Sequence, residues 1–176
     1  MPFNIPFFSK KDEKHKNFEG IQFGDIQYCE QYYNQAMADY ETHNFVDALG
    51  LSMKLFKFIM PIFFEEHPDN HDDADRKLSF GPFFNTLDLL GRSLRAMDYN
   101  WEAMQVFNFG YWVAERKDTT GSWCRLLYSR IEGAKGRDEL KRKLGNTVQW
   151  ESTVKLPASV LAEARALVEE LRDRIP

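Results

Sequence analysis

The side chains best suited to chemistry crowd between Glu65 and Asp75, where His67, Asp69, His71, Asp72, Asp73 and Asp75 share a stretch without a single basic residue. On a helix His67 and His71 would stand one turn apart, and two imidazoles with a carboxylate suit zinc or manganese. A calcium loop is excluded, because the turn glycine is missing and Phe80 stands where the bidentate glutamate belongs. The bland alternative is a solvated acidic loop, and the stretch is too polar to bury.

Other catalytic patterns are absent. There is no nucleophile elbow, no phosphate-cradling glycine loop and no HExxH. Cys29 and Cys124 form neither a CxxC pair nor a spaced quartet, which excludes a disulfide scaffold and a zinc ribbon. Cys29 sits on a helix face, where cysteine behaves as a small buried apolar residue. From Arg125 to Lys143 seven Lys or Arg face three acids, with Trp123 and Tyr128 nearby. No nucleic-acid motif organises these charges, and a net charge of −4 disfavours nucleic acid as a partner. Solvation, or contact with the acidic loop of another copy in a homo-oligomer, is the expectation for them. The reading is of a non-enzyme without a cofactor.

The elements that would carry these residues are helical. At 176 residues and 43% hydrophobic, with 15 Phe, the chain suits one core and not two. Residues 1–17 read as a mobile tail carrying Phe3, Ile5, Phe7 and Phe8, and residues 18–176 as a single domain. The tail's apolar side chains would dock on the chain's own surface or on a partner. Pro2 and Pro6 interrupt that apolar start, so it lacks the order of a secretion signal. The longest apolar run, Phe58 to Phe64, is seven residues with Pro61 inside it. It is far below the ~20 needed to span a bilayer. A cytoplasmic chain with no membrane partner is the expectation.

Apolar residues at three- and four-residue steps predict a helix over 26–42 behind Asp25 as N-cap, and a second from Phe45 that ends or kinks near Pro61. A third begins at Pro82, a fourth at Trp101 capped by Asn100, and the Asp118-Thr119-Thr120-Gly121 turn stops the fourth. Ser122 opens a fifth, loosened at Gly133 and Gly136. Lys135 to Lys143 read as a short basic sixth, stopped by Gly145. Val148 to Leu156 reads as an extended connection, and Pro157 starts a last helix with one apolar and one charged face.

Two hairpins pair a small residue in the first helix with an alanine twelve positions later in the second: Ala36 with Ala48, and Gly91 with Ala103. With Tyr32, Phe45 and Pro61 in the first hairpin and Leu87, Leu90 and Phe107 in the second, this spacing resembles the tetratricopeptide repeat. Ser52 stands where the first hairpin's aromatic would be. Ala48 and Ala103 are 55 residues apart, against the ~34 of a strict array, so the acidic loop or a lengthened helix is inserted. The resemblance implies an all-α fold of antiparallel helical hairpins stacked as a short right-handed superhelix, closed by a C-terminal capping helix. A generic helical bundle with small residues at its crossings is the alternative within the same class.

In that family the first helix of each hairpin lines a concave face. Positions three before, one after and four after the small residue share a stripe. They are Tyr33, Met37 and Tyr40 in the first hairpin, and Asp88, Arg92 and Arg95 in the second. One end is aromatic and the other basic, which suits a peptide with apolar anchors and an acidic group. The expected function is a protein-protein interaction module, an adaptor, chaperone or regulatory subunit, binding another protein or peptide. Two alternatives stand beside it: a toxin-neutralising, immunity-type protein, and a metal-dependent enzyme or metal-responsive regulator using His67 and His71.

Overall fold

The computed structural model describes residues 18, 21–68, 77–118, 120–145 and 155–176. After a 3-10 turn (Ile26–Tyr28) come α1 (Cys29–Glu41), α2 (Phe45–Glu66), α3 (Phe80–Ala96), α4 (Asn100–Lys117), α5 (Ser122–Leu144) and α6 (Ala158–Asp173). No strand occurs among the described residues, and the chain is all-α. The tail 1–17, His71 with most of the acidic stretch, and most of the extended connection lie outside them.

Each helix packs on the next from α1 through α5, α3 also touches α1 and α5, and α6 lies chiefly on α4. α6 reaches α2 as well, through a 3.0 Å Lys57–Glu163 ion pair and the Arg174 guanidinium over Phe64. The last helix therefore closes against the α2 and α4 side. Buried aromatics tie the layers together: Phe63 of α2 stacks on Phe83 of α3 at 3.9 Å between centroids, and Phe84 stacks on Trp123 of α5 at 5.2 Å. Just beyond the tail, Phe18 is buried and lies over Gly50 of α2.

The turns joining α1 to α2 and α3 to α4 are the same turn. His43 and Asp98 take left-handed backbone at φ +64° and +68°. Asn44 and Tyr99, next in line, have φ/ψ of −84°/61° and −83°/61°. The amide of Asn44 donates to the Asp39 carbonyl at 2.7 Å and that of Tyr99 to the Leu94 carbonyl at 3.0 Å, each a bond reaching back five residues over the helix end. These pairs repeat at the 55-residue offset that separates Ala48 from Ala103.

Several boundaries differ from the sequence reading, each for a physical reason. Helix α2 runs through Pro61 to Glu66. Proline removes the bond to the Lys57 carbonyl, but Lys57 and Pro61 lie on the exposed side while Ile59, Met60 and Phe63 are buried beside them. Pro82 sits two residues inside α3, which opens at Phe80. Asn100 is the first residue of α4 and makes no cap; its amide nitrogen donates back to the Asp98 carbonyl at 3.4 Å. The fifth and sixth expected helices are one, since α5 continues through Gly133 and Gly136 until Gly145, at φ +50°, ends it. Asp118 supplies the start of α5, its carboxylate accepting from the Trp123 amide at 2.7 Å.

Candidate functional site: an arginine-lined pocket between four helices

Because α1 and α3 touch, the two stripes expected from the sequence meet. The Arg92 guanidinium lies over the Tyr40 ring, 4.6 Å from its centroid, a cation-π contact across the two helices. Tyr40, Arg92 and Arg95 line a depression of about 410 Å³ together with Phe45 of α2 and Arg130 and Arg137 of α5. Tyr33 falls in a second depression of about 260 Å³ between α1 and α3, beside Cys29, Asn85 and Thr86. Met37 is half-buried and packs on the core between them.

Asp88 is not presented to a partner. It is buried, and its two oxygens accept from Nε and Nη2 of Arg130 at 2.8 and 3.2 Å, with Arg92 at 3.8 Å. This forked pair uses two of the five N–H donors of a guanidinium and leaves three for the pocket. Asp98, in the α3–α4 turn, does the same for Arg137 (2.8 Å) and Lys141 (3.1 Å). Burial pushes the Asp98 carboxyl up, but hydrogen bonds and charge from Arg137 and Lys141 win and hold it below its ordinary value. The carboxylate thus stays ionised and Arg137 stays anchored. Among the described residues Arg95 has no carboxylate partner; its guanidinium lies against Gly133, where a Cβ would come within 3.1 Å of Nη1.

Burial first, then the charge of Asp88, raises the Tyr33 phenol above its usual value, with Arg92 opposing. Burial, assisted by Asp25, pushes the Cys29 thiol up to about 11. Thiolate is the nucleophile, so Cys29 will alkylate with iodoacetamide at pH 8 about 100-fold slower than an unperturbed thiol. Peptide mapping after timed labelling reads this, and modification at the free-thiol rate would contradict it. Cys29 is protonated when folded between its ordinary and shifted values, so the stability it lends is lost as pH rises from 9 toward 11.

Among the described residues no three His, Cys, Asp or Glu side chains converge where a metal could sit. His67 is buried and stacked on Phe63, with Nδ1 3.0 Å from the Phe63 carbonyl oxygen. No helix among the described residues is long and apolar enough to cross a membrane.

Phe45, Ala96, Arg130 and Arg137 are the pocket residues that the stripe rule does not reach. Their signal is present: Arg130 and Arg137 are seven apart and share a helix face, provided α5 is continuous. Breaking that helix at its glycines hides the stripe. Comparison with family models, with curated proteins and with solved structures gives no match to this chain.

Proposed function

We propose that this chain is a non-catalytic protein-interaction module of the cytoplasm, an adaptor, chaperone or regulatory subunit. Its hairpins form a short tetratricopeptide-like stack, and its partner docks on the face formed by α1, α3 and α5. The repeated turn supports the stack: the same left-handed residue, the same backbone angles and the same five-residue bond recur at one offset. The observation that carries the binding reading is the pocket in which Tyr40, Arg92 and Arg95 meet Arg130 and Arg137. Side chains from four helices there surround a concavity lined by four guanidiniums and two aromatic rings.

Tagged protein expressed in its own cells is expected to recover a partner at fixed stoichiometry. The Arg92→Glu/Arg95→Glu double variant should lose it while keeping the wild-type helical circular dichroism, and Arg95→Glu alone, which breaks no ion pair among the described residues, should weaken it at an unchanged melting temperature. Recovery of no partner, or of the same partner by the double variant, would count against the reading.

A further inference from the structure

Four guanidiniums around one depression need a reason to stay together. Two carboxylates hold three of them: Asp88 grips Arg130 and draws Arg92, and Asp98 grips Arg137, while Arg95 lies against Gly133. Both acids are nearly sequestered, their side chains 10% and 7% exposed, and neither lines the pocket, whose walls carry the guanidiniums. Among the described residues, two acids against the four arginines leave an excess of two positive charges, carried by Arg92, 3.8 Å from an Asp88 already gripped by Arg130, and by Arg95.

A lone carboxylate would neutralise one charge and fill a small part of the volume. A phosphate monoester carries −1.5 to −2 at neutral pH and offers three acceptor oxygens to forked donors. Free phosphate would leave most of a 410 Å³ depression to water, whereas a phosphorylated side chain brings a stem that can lie along Tyr40 and Phe45. We propose that this pocket binds a phosphorylated side chain of the partner protein. The proposal rests on reading the face as a partner-binding surface and adds the chemistry of its anchor.

Gly133 belongs to the same device. The Arg95 guanidinium occupies the space a side chain would take, with Cζ and Nη2 both at 3.3 Å from a Cβ built there. Glycine in the middle of a long helix is otherwise unfavourable. At Gly136, one turn on, nothing lies within 4 Å. The glycine at 133 lets the Arg95 guanidinium lie close against α5, in the same depression as Arg130 and Arg137.

The test follows the arginine Nε–H signals of the full-length ¹⁵N-labelled chain by NMR. The probes are pools of seven-residue peptides, randomised around a central phosphoserine, phosphotyrosine, serine, tyrosine or glutamate, with inorganic phosphate as a separate arm. A phosphorylated pool is expected to shift the pocket signals saturably, at least tenfold more tightly than inorganic phosphate and than its unphosphorylated parent. Arg95→Gln should weaken that binding about tenfold. Gly133→Ala should weaken it while raising the melting temperature, which separates loss of the pocket from loss of the fold. No shift with either phosphorylated pool, or equal shifts with the glutamate pool or with inorganic phosphate, would overturn the proposal. In that event a partner captured in an Arg92- and Arg95-dependent manner would leave the broader binding reading standing.

Discussion

Phe63→Ala is expected to lower the unfolding free energy by about 3–5 kcal/mol, the range for emptying an aromatic from a packed core. Phe63 is 0% exposed. Its ring stacks on Phe83 at 3.9 Å and 13°, lies 4.5 Å from the His67 ring, and meets Phe84 edge-on at 5.8 Å. Removing it opens a void at the contact of α2 with α3, and three aromatic partners lose a neighbour together. Against a total stability of about 5–15 kcal/mol, that is a large share. Urea unfolding followed by tryptophan fluorescence and circular dichroism reads the loss. A change below about 1 kcal/mol would mean that the site collapses freely and that the α2–α3 packing is not as described.

The second large effect falls on Gly91→Ala. A Cβ there would stand 2.3, 2.6 and 2.9 Å from three ring carbons of Phe107, distances that real contacts do not adopt. Phe107 is 0% exposed and hemmed in by the core, so its ring has nowhere to swing. Overpacking of this kind costs about 1–3 kcal/mol, while the better helix propensity of alanine returns about 1. A net loss is expected from urea midpoints, whereas Gly136→Ala, with open space around it, should be neutral or stabilising. In a Phe107→Ala background the added methyl no longer meets a ring, so the Gly91→Ala cost should vanish. An unchanged cost there would show that the strain lies elsewhere.

The first hairpin explains why this pair is coupled. At the common offset, Ala36 corresponds to Gly91 and Ser52 to Phe107, and both are 0% exposed. Where the second helix brings an aromatic, the first brings glycine; where it brings serine, the first keeps a methyl. Sequence alone shows Ser52 as a departure from the repeat pattern. In the structure Ser52 is buried, its hydroxyl donating to the Leu49 carbonyl at 3.1 Å.

Periodicity made the helices of the first two hairpins legible, because their apolar stripes face a core; the left-handed backbone at His43 and Asp98 that turns each hairpin was not read from it. It failed where a local rule was outweighed by contacts distant in sequence. Two glycines forecast a break in α5, yet Arg130 with Asp88 and Arg137 and Lys141 with Asp98 pin the helix on both sides of them. Half of the arginine pocket was hidden by that one local inference. The stripe rule found Arg92 and Arg95 but could not give depth, so Asp88, on the same stripe, was expected in the groove and lies behind it. Met37 likewise shares the stripe and faces the core.

Helix α6 has a consequence for how the chain comes apart. A row of helices that touch mainly their neighbours in sequence can fray from either end, since each unit depends only on the next. Lys57 and Glu163 are 106 positions apart, and Arg165 of α6 also reaches Glu102 of α4 at 3.4 Å. The last segment of the chain thereby fastens the first hairpin to the second. Closing contacts at such separations raises the entropy cost of folding, and in return it ties the fate of the two hairpins together. The chain then opens as one cooperative body instead of unzipping helix by helix.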